Sequence, residues 1–142
     1  MADEELTALD HRAAVEIMGW EKNRNGFEGK DYWYGKFGKC IYTVDLPDKD
    51  NFYFIWQPTR DLNHAGLVKE MMRKRFGFVW YTNIVHPDDE TFQLNAVCRF
   101  IRWETSPFKR LEFEIRAESE PLAIVQAALL AVESLKNSEV GQ

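Results

Sequence analysis

The chain of 142 residues is 45% hydrophobic and 29% charged, and it carries a formal net charge of −5. This size predicts a single domain over residues 1–142, with an ordered core over 3–137 and a frayed tail over 138–142. The negative charge argues against nonspecific nucleic-acid binding, which depends on neutralisation of phosphates by Lys and Arg. No apolar run reaches the roughly 18 residues of a membrane span, and the acidic start MADEELTALDH does not resemble a secretory signal. We therefore expect a cytoplasmic protein.

The first predicted element is a helix over residues 5–18. Its apolar residues recur at intervals of three and four and are Leu6, Leu9, Ala13, Ile17 and Trp20. Gly19 is the expected helix stop. In the glycine-rich segment that follows we expect a short strand near 31–36 and a second strand over 39–45. A third strand, FYFIW, ends at Pro58 because proline cannot donate to a ladder.

A central helix is predicted to begin after Thr59 or Asp61, either of which can cap it, and to run to about Arg75. Gly77 follows as the expected C-terminal stop. The apolar stripe of this helix consists of Ala65, Val68, Met72 and Phe76.

The last turns of the central helix carry four cations, which are Lys69, Arg73, Lys74 and Arg75. Positive charge at a helix C-terminus interacts favourably with the helix dipole, so the cluster has an explanation without any ligand. A basic docking face for an acidic partner is the alternative.

Three strands are predicted next, over residues 77–85, 91–103 and 109–118. The last of them alternates strictly, and its outward residues are Arg110, Glu112, Glu114, Arg116 and Glu118. A strand with one polar side belongs to an antiparallel sheet that has one face in water. The turns HPDDE and TSPF make a meander the simplest connection.

The final helix, SEPLAIVQAALLAVESLK, has Ser119 as its cap and Pro121 in its first turn. It is apolar nearly all round, so it must be covered on more than one side, by the first helix or by a second chain in a homodimer. The predicted order is α-β-β-β-α-β-β-β-α. This is an α+β domain in which an antiparallel or mixed sheet packs with three helices as an α/β sandwich.

Three short elements resemble the phage ABA sandwich domain family. They are Met18, Gly19 and Trp20 at the end of the first helix, Pro58, Thr59 and Asp61 before the central helix, and the alanine-rich stretch Ala123 to Ala131. The resemblance spans nearly the whole chain and implies a compact α/β fold and a bacteriophage or prophage origin. It implies no reaction, because the family has no agreed biochemical role and these residues serve capping and packing.

No arrangement typical of catalysis stands out. The three histidines are His11, His64 and His86, but a Gly-x-Ser-x-Gly elbow is absent, and Cys40 and Cys98 stand in apolar strand patterns that predict reduced core thiols. One acidic loop, with Asp45, Asp48 and Asp50, lacks the glycine and the terminal glutamate of a calcium loop. The other, with His86, Asp88, Asp89 and Glu90, has the composition of a solvated turn. We predict no catalytic residue, no metal and no cofactor. An enzyme that uses the His86 loop is the weakest alternative.

Aromatic rings interleaved with cations give the strongest binding signal. The segment KDYWYGKFGK supplies Tyr32, Trp33, Tyr34, Lys36 and Lys39. Rings of this kind stack on bases while cations meet phosphates. Strand alternation would turn about half of the rings into the core, so core packing is the simpler interpretation, and a dimer contact is a third. Trp103 and Ile101 share a strand face with Arg99 and Asn95 and form a second exposed apolar candidate.

Two functions are consistent with these observations. The favoured one is a non-enzymatic phage or prophage accessory protein that binds a host or phage protein and thereby counteracts a host defence. Its partner-binding residues would be Lys69, Arg73, Lys74 and Trp103. The other is a protein that sequesters a small nucleotide-type ligand with the aromatic and basic residues of 32–39.

Overall fold

The computed structural model describes residues 1–23, 32–34, 41–43, 53–85, 95–105 and 107–140. Its elements in chain order are α1 (Asp3–Arg12), a π-helical turn (Ala13–Ile17), β1 (Glu21–Asn23), β2 (Tyr32–Tyr34), β3 (Ile41–Thr43), β4 (Tyr53–Ile55), α2 (Leu62–Phe76), β5 (Val79–Val85), β6 (Asn95–Thr105), β7 (Phe108–Ala117) and α3 (Glu120–Val140). The chain is an α+β protein, as predicted. Four short strands separate α1 from α2 where three were expected, so the predicted element order is not shown.

Helix α2 has the ends that its sequence predicts. The Asp61 side chain caps it by accepting hydrogen bonds from the backbone N–H of Asn63 at 2.8 Å and of His64 at 3.4 Å. Gly77 ends it in the left-handed conformation with φ of 73°, which is open to glycine because it has no Cβ. The N–H of Phe78 then bonds the carbonyl of Met72 at 3.1 Å, the closing bond of a Schellman motif.

The Met-Gly-Trp element ends the first helix by way of a π-turn. The N–H of Met18 donates to the carbonyl of Ala13 at 3.0 Å, and Gly19 follows with φ of 70°. This reversal turns Trp20 into the core, where its ring meets Trp56 edge to face at a centroid distance of 4.6 Å. The element is therefore a helix stop followed by a packing anchor.

Asp10 connects α1 to the turn that precedes α2. Its carboxylate accepts a 2.8 Å hydrogen bond from the backbone N–H of Thr59 and lies 3.4 Å from the guanidinium of Arg60. The indole of Trp56 donates to the Asp10 carbonyl at 2.9 Å. Asp10 has no exposed surface, so these contacts replace the water that a buried carboxylate would otherwise need.

Strands β5, β6 and β7 form an antiparallel sheet in that order. All three contact α3, and α3 also contacts α1, the π-turn and α2. Helix α3 is thus the middle of the molecule, with the sheet on one side and the other helices on the other. This arrangement explains why it is apolar nearly all round, and the first helix provides the cover that the sequence required.

The four short strands pair in the order β1-β2-β3-β4. The first two pairings are antiparallel, and β3 runs parallel to β4, so this sheet is mixed. Strands β2, β3 and β4 fall within the three strands predicted for this region, whereas β1 was not predicted. Among the described residues, no helix combines the length and apolar character needed to cross a membrane.

Candidate functional site

The β5–β7 sheet has one face against the helices and one face turned away from them. On β6, Ala96, Cys98 and Phe100 are buried in the core, so residues of the opposite parity lie on the other surface of the sheet, where Val97 is buried and Trp103 is half exposed. We call this second surface the outer face. Strand pairing assigns to it Val79, Tyr81, Asn83, Val97, Arg99, Ile101, Trp103, Thr105, Phe108, Arg110, Glu112, Glu114 and Arg116.

Large apolar side chains are concentrated on the outer face. The exposed fraction is 47% for Val79, 50% for Tyr81, 50% for Trp103 and 77% for Phe108. The other exposed large hydrophobic residues within the described ranges are on helices or at the N-terminus, and they are Met1, Val15, Leu62, Leu67 and Leu130. Single exposed apolar residues are ordinary, but a group of them on one flat surface marks an interaction site.

The register makes these side chains neighbours. Val79 pairs with Ile101, and Trp103 is two residues further along β6, roughly 7 Å away. Phe108 pairs with Thr105 at the same end of the sheet. The three exposed rings offer roughly 100 Å² each, so together with Val79 the apolar strip measures on the order of 400 Å². That area suits the centre of a protein interface, which buries about 800 Å² per partner.

Ion pairs border the strip on the β7 side. The guanidinium of Arg99 lies 2.7 Å from both Glu112 and Glu114, and Arg110 lies 3.2 Å from Glu112. The hydrogen bond that Arg99 donates to Glu114 raises the pKa of Arg99 above its ordinary value, so Arg99 stays charged. These pairs hold both arginines flat on the sheet instead of leaving them to extend into water.

The two arginines also lie over the aromatic rings. Arg99 stands 5.8 Å from the ring centre of Tyr81, and Arg110 stands 5.9 Å from that of Trp103. The amide of Asn83 donates to the Tyr81 hydroxyl. Cation–π contacts and this hydrogen bond fix the rings in place before any partner arrives, which lowers the entropic cost of binding.

The predicted basic residues of α2 lie elsewhere. Lys69 stands 5.6 Å over the ring of Trp80, whose register partner Phe100 is in the core, so Lys69 is on the helix side of the sheet. Arg73 forms a 3.0 Å ion pair with Glu70, and Lys74 is exposed. Trp103 has the opposite parity on β6. The structure therefore keeps the three cations together and separates them from Trp103 by the thickness of the sheet.

The predicted ligand-binding segment is described only in part. Tyr32, Trp33 and Tyr34 form β2, which pairs with β1 and β3, and Lys36 and Lys39 lie outside the described residues. The acidic loops of 45–50 and 86–90 and the second cysteine, Cys40, also lie outside them. Within the described ranges, no group of three His, Cys, Asp or Glu side chains is arranged to hold a metal ion.

His64 has a structural position. Its Nδ1 accepts a 3.1 Å hydrogen bond from the backbone N–H of Gln57, and its ring stacks on Trp56 at 5.4 Å. Burial lowers the pKa of His64, and the neighbouring Asp61 only partly opposes this. A neutral imidazole that accepts from the backbone completes the turn before α2, and it is not presented to a substrate.

Sequence reasoning found Trp103 and missed three other apolar residues of the outer face, which are Val79, Tyr81 and Phe108. The signal for the first two was present, because the alternation in GFVWYTNIV separates the buried Phe78 from the exposed Val79 and Tyr81. Phe108 had no such signal, since it stands at the turn, one residue before the predicted start of β7. Comparisons with protein-family models, with curated proteins and with solved structures give no match to this chain.

Proposed function

We propose that this protein is a non-enzymatic binding protein that docks another protein chain on its outer face. The observation that carries the proposal is the placement of Val79, Tyr81, Trp103 and Phe108 on one uncovered surface of the sheet. Aromatic residues and arginine are the residue types enriched where proteins bind proteins, and they supply most of the binding energy there.

The shape and charge of the surface favour a protein over other ligands. Small molecules bind in concave sites, whereas this surface is the face of a sheet. Its charged residues are three arginines (Arg99, Arg110 and Arg116) and two glutamates (Glu112 and Glu114), so the two signs nearly cancel. A nucleic acid would need a strongly basic surface. A partner with an apolar patch rimmed by both charges fits best.

The resemblance to the phage ABA sandwich domain family supports a bacteriophage or prophage origin. On that basis we place the action of the protein in the cytoplasm of a bacterial host. Its partner is then a host or phage protein, and binding would block a host defence. The family resemblance also supports the finer description of the fold as an α/β sandwich.

Site-specific crosslinking in bacterial cells tests the proposal. A photo-crosslinking phenylalanine analogue replaces Tyr81 in one variant and Leu67, an exposed residue of α2, in a control variant. We expect a discrete crosslinked product with a second protein from position 81 and none from position 67. Trp103→Ala should abolish the product. A product with the mass of two copies of this chain would show a homodimer instead, and equal products from both positions would contradict the proposal.

The alternative, sequestration of a small nucleotide-type ligand, depends on Trp33, Tyr34, Lys36 and Lys39. It stays a prediction, which native mass spectrometry of protein purified from bacterial lysate would check. A retained ligand of a few hundred daltons that is lost on Trp33→Ala would favour it over the docking proposal.

A further inference from the structure

A second candidate site lies on the helix side of the sheet, where the π-turn, the end of α2, α3 and β6 meet. A cavity of about 380 Å³ opens there, and its lining residues are Glu16, Arg75, Phe76, Arg102, Val132, Leu135 and Lys136. We call it the cationic pocket. It shares no residue with the outer face, so it stands independently of the proposed docking function.

Charge is the first property of the cationic pocket. Three cations and one carboxylate line it, which gives a net charge of +2 in a chain whose net charge is −5. The ion-pair partners just outside the lining, Arg12 on Glu16 and Glu104 on Arg102, cancel each other and leave this balance unchanged. Positive charge in a concavity surrounded by a negative protein concentrates anions by focusing the field. The carboxylate of Glu16 is neutralised by its neighbours, since it lies 2.8 Å from Arg12 and 3.4 Å from Lys136.

Main-chain carbonyls hold the two guanidinium groups in place. Arg75 donates to the carbonyl of Ile17 at 2.6 Å, and Arg102 donates to the carbonyl of Phe76 at 3.0 Å. Ile17 is the last residue of the π-turn and Phe76 is the last residue of α2. Each arginine therefore caps the end of a helical segment, and the hydrogen bond fixes the guanidinium in place. A guanidinium has five N–H donors. Arg75 uses one of them in this bond, and Arg102 uses a second one in a 3.0 Å ion pair with Glu104. The fixed geometry orients the remaining donors before a ligand binds.

An apolar wall faces these cations. Val132 is buried, and Phe76 and Leu135 are partly buried against the core. A fully solvated inorganic anion gains nothing from such a wall, whereas an anion with an organic body does. The volume lies at the lower end of the range for ligand sites, so the body must be small.

We propose that the cationic pocket binds a small organic phosphate monoester. The phosphate group carries close to two negative charges at neutral pH, which matches the net charge of the pocket. Its oxygens accept from Arg75, Arg102 and Lys136, and arginine forks suit phosphate geometry. The organic part packs on Phe76 and Leu135.

Phenyl phosphate is the probe, with inorganic phosphate as its comparison. The methyl resonances of Val132 and Leu135, followed by NMR during titration, report binding at this place and at no other. We expect phenyl phosphate to shift them and to bind more tightly than inorganic phosphate, because only the ester contacts the wall. Unchanged methyl resonances would overturn the proposal, and equal affinity for both probes would overturn the assignment to an organic phosphate.

Charge variants give the second readout. Lys136→Gln should weaken phenyl phosphate binding about tenfold, as expected for loss of a hydrogen bond to a charged group. Glu16→Gln should tighten binding, because it removes the one carboxylate and releases Lys136. Lys74→Gln is the matched control, since Lys74 is exposed and does not line the pocket. If Lys74→Gln weakens binding as much as Lys136→Gln, binding depends only on the overall charge of the protein, and the assignment to the cationic pocket is refuted.

Discussion

Asp10 and Thr59 are 49 residues apart in the chain, and the backbone N–H of Thr59 donates a 2.8 Å hydrogen bond to the buried carboxylate of Asp10. This contact fixes α1 against the turn that starts α2. The Pro-Thr-x-Asp turn therefore depends on a residue of the first helix as well as on its own cap. The Met-Gly-Trp element and this turn are joined through the contact between Trp20 and Trp56, so they form one structural unit.

Two substitutions of Asp10 should distinguish the effect of its hydrogen bond on stability from the effect of its charge. Asp10→Ala leaves the buried N–H of Thr59 without its acceptor, which should lower the free energy of unfolding by about 1–3 kcal/mol. Asp10→Asn keeps an acceptor oxygen and should cost less. Urea denaturation measures both. Asp3→Asn is the control, because it removes only an exposed 3.9 Å ion pair with the same Arg60 and should change stability by less than about 1 kcal/mol.

The Asp10 carboxyl should also give stability a specific pH dependence. Burial raises its pKa above the ordinary value, and the hydrogen bond from Thr59 and the charge of Arg60 only partly offset this. The folded protein then binds this proton more tightly than the unfolded chain does. The protonated Asp10 carboxyl therefore makes its full contribution to the free energy of unfolding below the unfolded pKa, about 3.9. This contribution is lost as pH rises through the folded pKa.

The measurement is the difference in free energy of unfolding between the wild-type protein and Asp10→Asn at a series of pH values. We expect this difference to decrease as pH rises from the acid side towards neutral. An increase over the same interval would mean that hydrogen bonding outweighs burial at Asp10.

Three glycines should respond differently to alanine. Gly19 has a positive φ, and a Cβ there would lie 2.8 Å from Arg75 Nη1. Gly77 also has a positive φ, but its nearest neighbour would be 3.6 Å away. Alanine at either position should lower the free energy of unfolding by roughly 1–2 kcal/mol, because it is strained in the left-handed conformation. Gly19→Ala should lower it further, because Arg75 must move.

Gly66 is the matched control for this series. It is in the interior of α2, and a Cβ there would meet nothing within 4 Å. Gly66→Ala should therefore raise the free energy of unfolding by roughly 1 kcal/mol. Thermal and urea denaturation of the three variants would check the order, and a stabilising Gly19→Ala would refute the account of this turn.

Cys98 should be chemically silent in the folded protein. Burial raises the pKa of its thiol to about 12, so almost no thiolate exists near neutral pH. In a Cys40→Ser background, we expect a disulfide reagent such as DTNB to leave the native protein unmodified at pH 8. The same protein in urea should react with one equivalent. Rapid modification without urea would show that β6 opens towards solvent.

The outer face and the core should differ in their effect on folding. Trp103 is half exposed, so Trp103→Ser should cost less than about 1 kcal/mol of stability through loss of its contact with Arg110. Phe100 is fully buried on the other side of β6, and Phe100→Ala should cost about 3–5 kcal/mol. Denaturation of both variants tests the assignment of faces. Comparable losses would mean that Trp103 is part of a packed layer.

Local signals predicted the parts of the fold that depend on neighbouring residues. The cap and the stop at Gly77 are set within a few residues of the chain. Gly77 was predicted, and Asp61 was one of two predicted caps, the other being Thr59. The outward residues of β7 follow from period two, and all five are exposed. The contact between Asp10 and Thr59 could not be predicted, because it joins distant segments and neither residue carries a local signal for the other.

The candidate site also combines features that local sequence predicts with features that depend on contacts between distant segments. Exposure of Trp103 follows from strand alternation, and it is visible in the sequence. The sequence does not show on which side of the sheet α2 lies, and for that reason Lys69 and Trp103 were predicted as one surface although the sheet separates them. The cationic pocket has residues from four elements, and only packing brings them together.

The central position of α3 has a consequence for synthesis. The ribosome produces β5, β6 and β7 before the helix that covers them, so the nascent sheet exposes Phe100, Cys98 and Phe113 as well as the aromatic residues of its other side. During that interval the chain presents an apolar surface on both faces and is exposed to aggregation. Chaperones should therefore bind a chain truncated after Ala117 more strongly than the full-length chain.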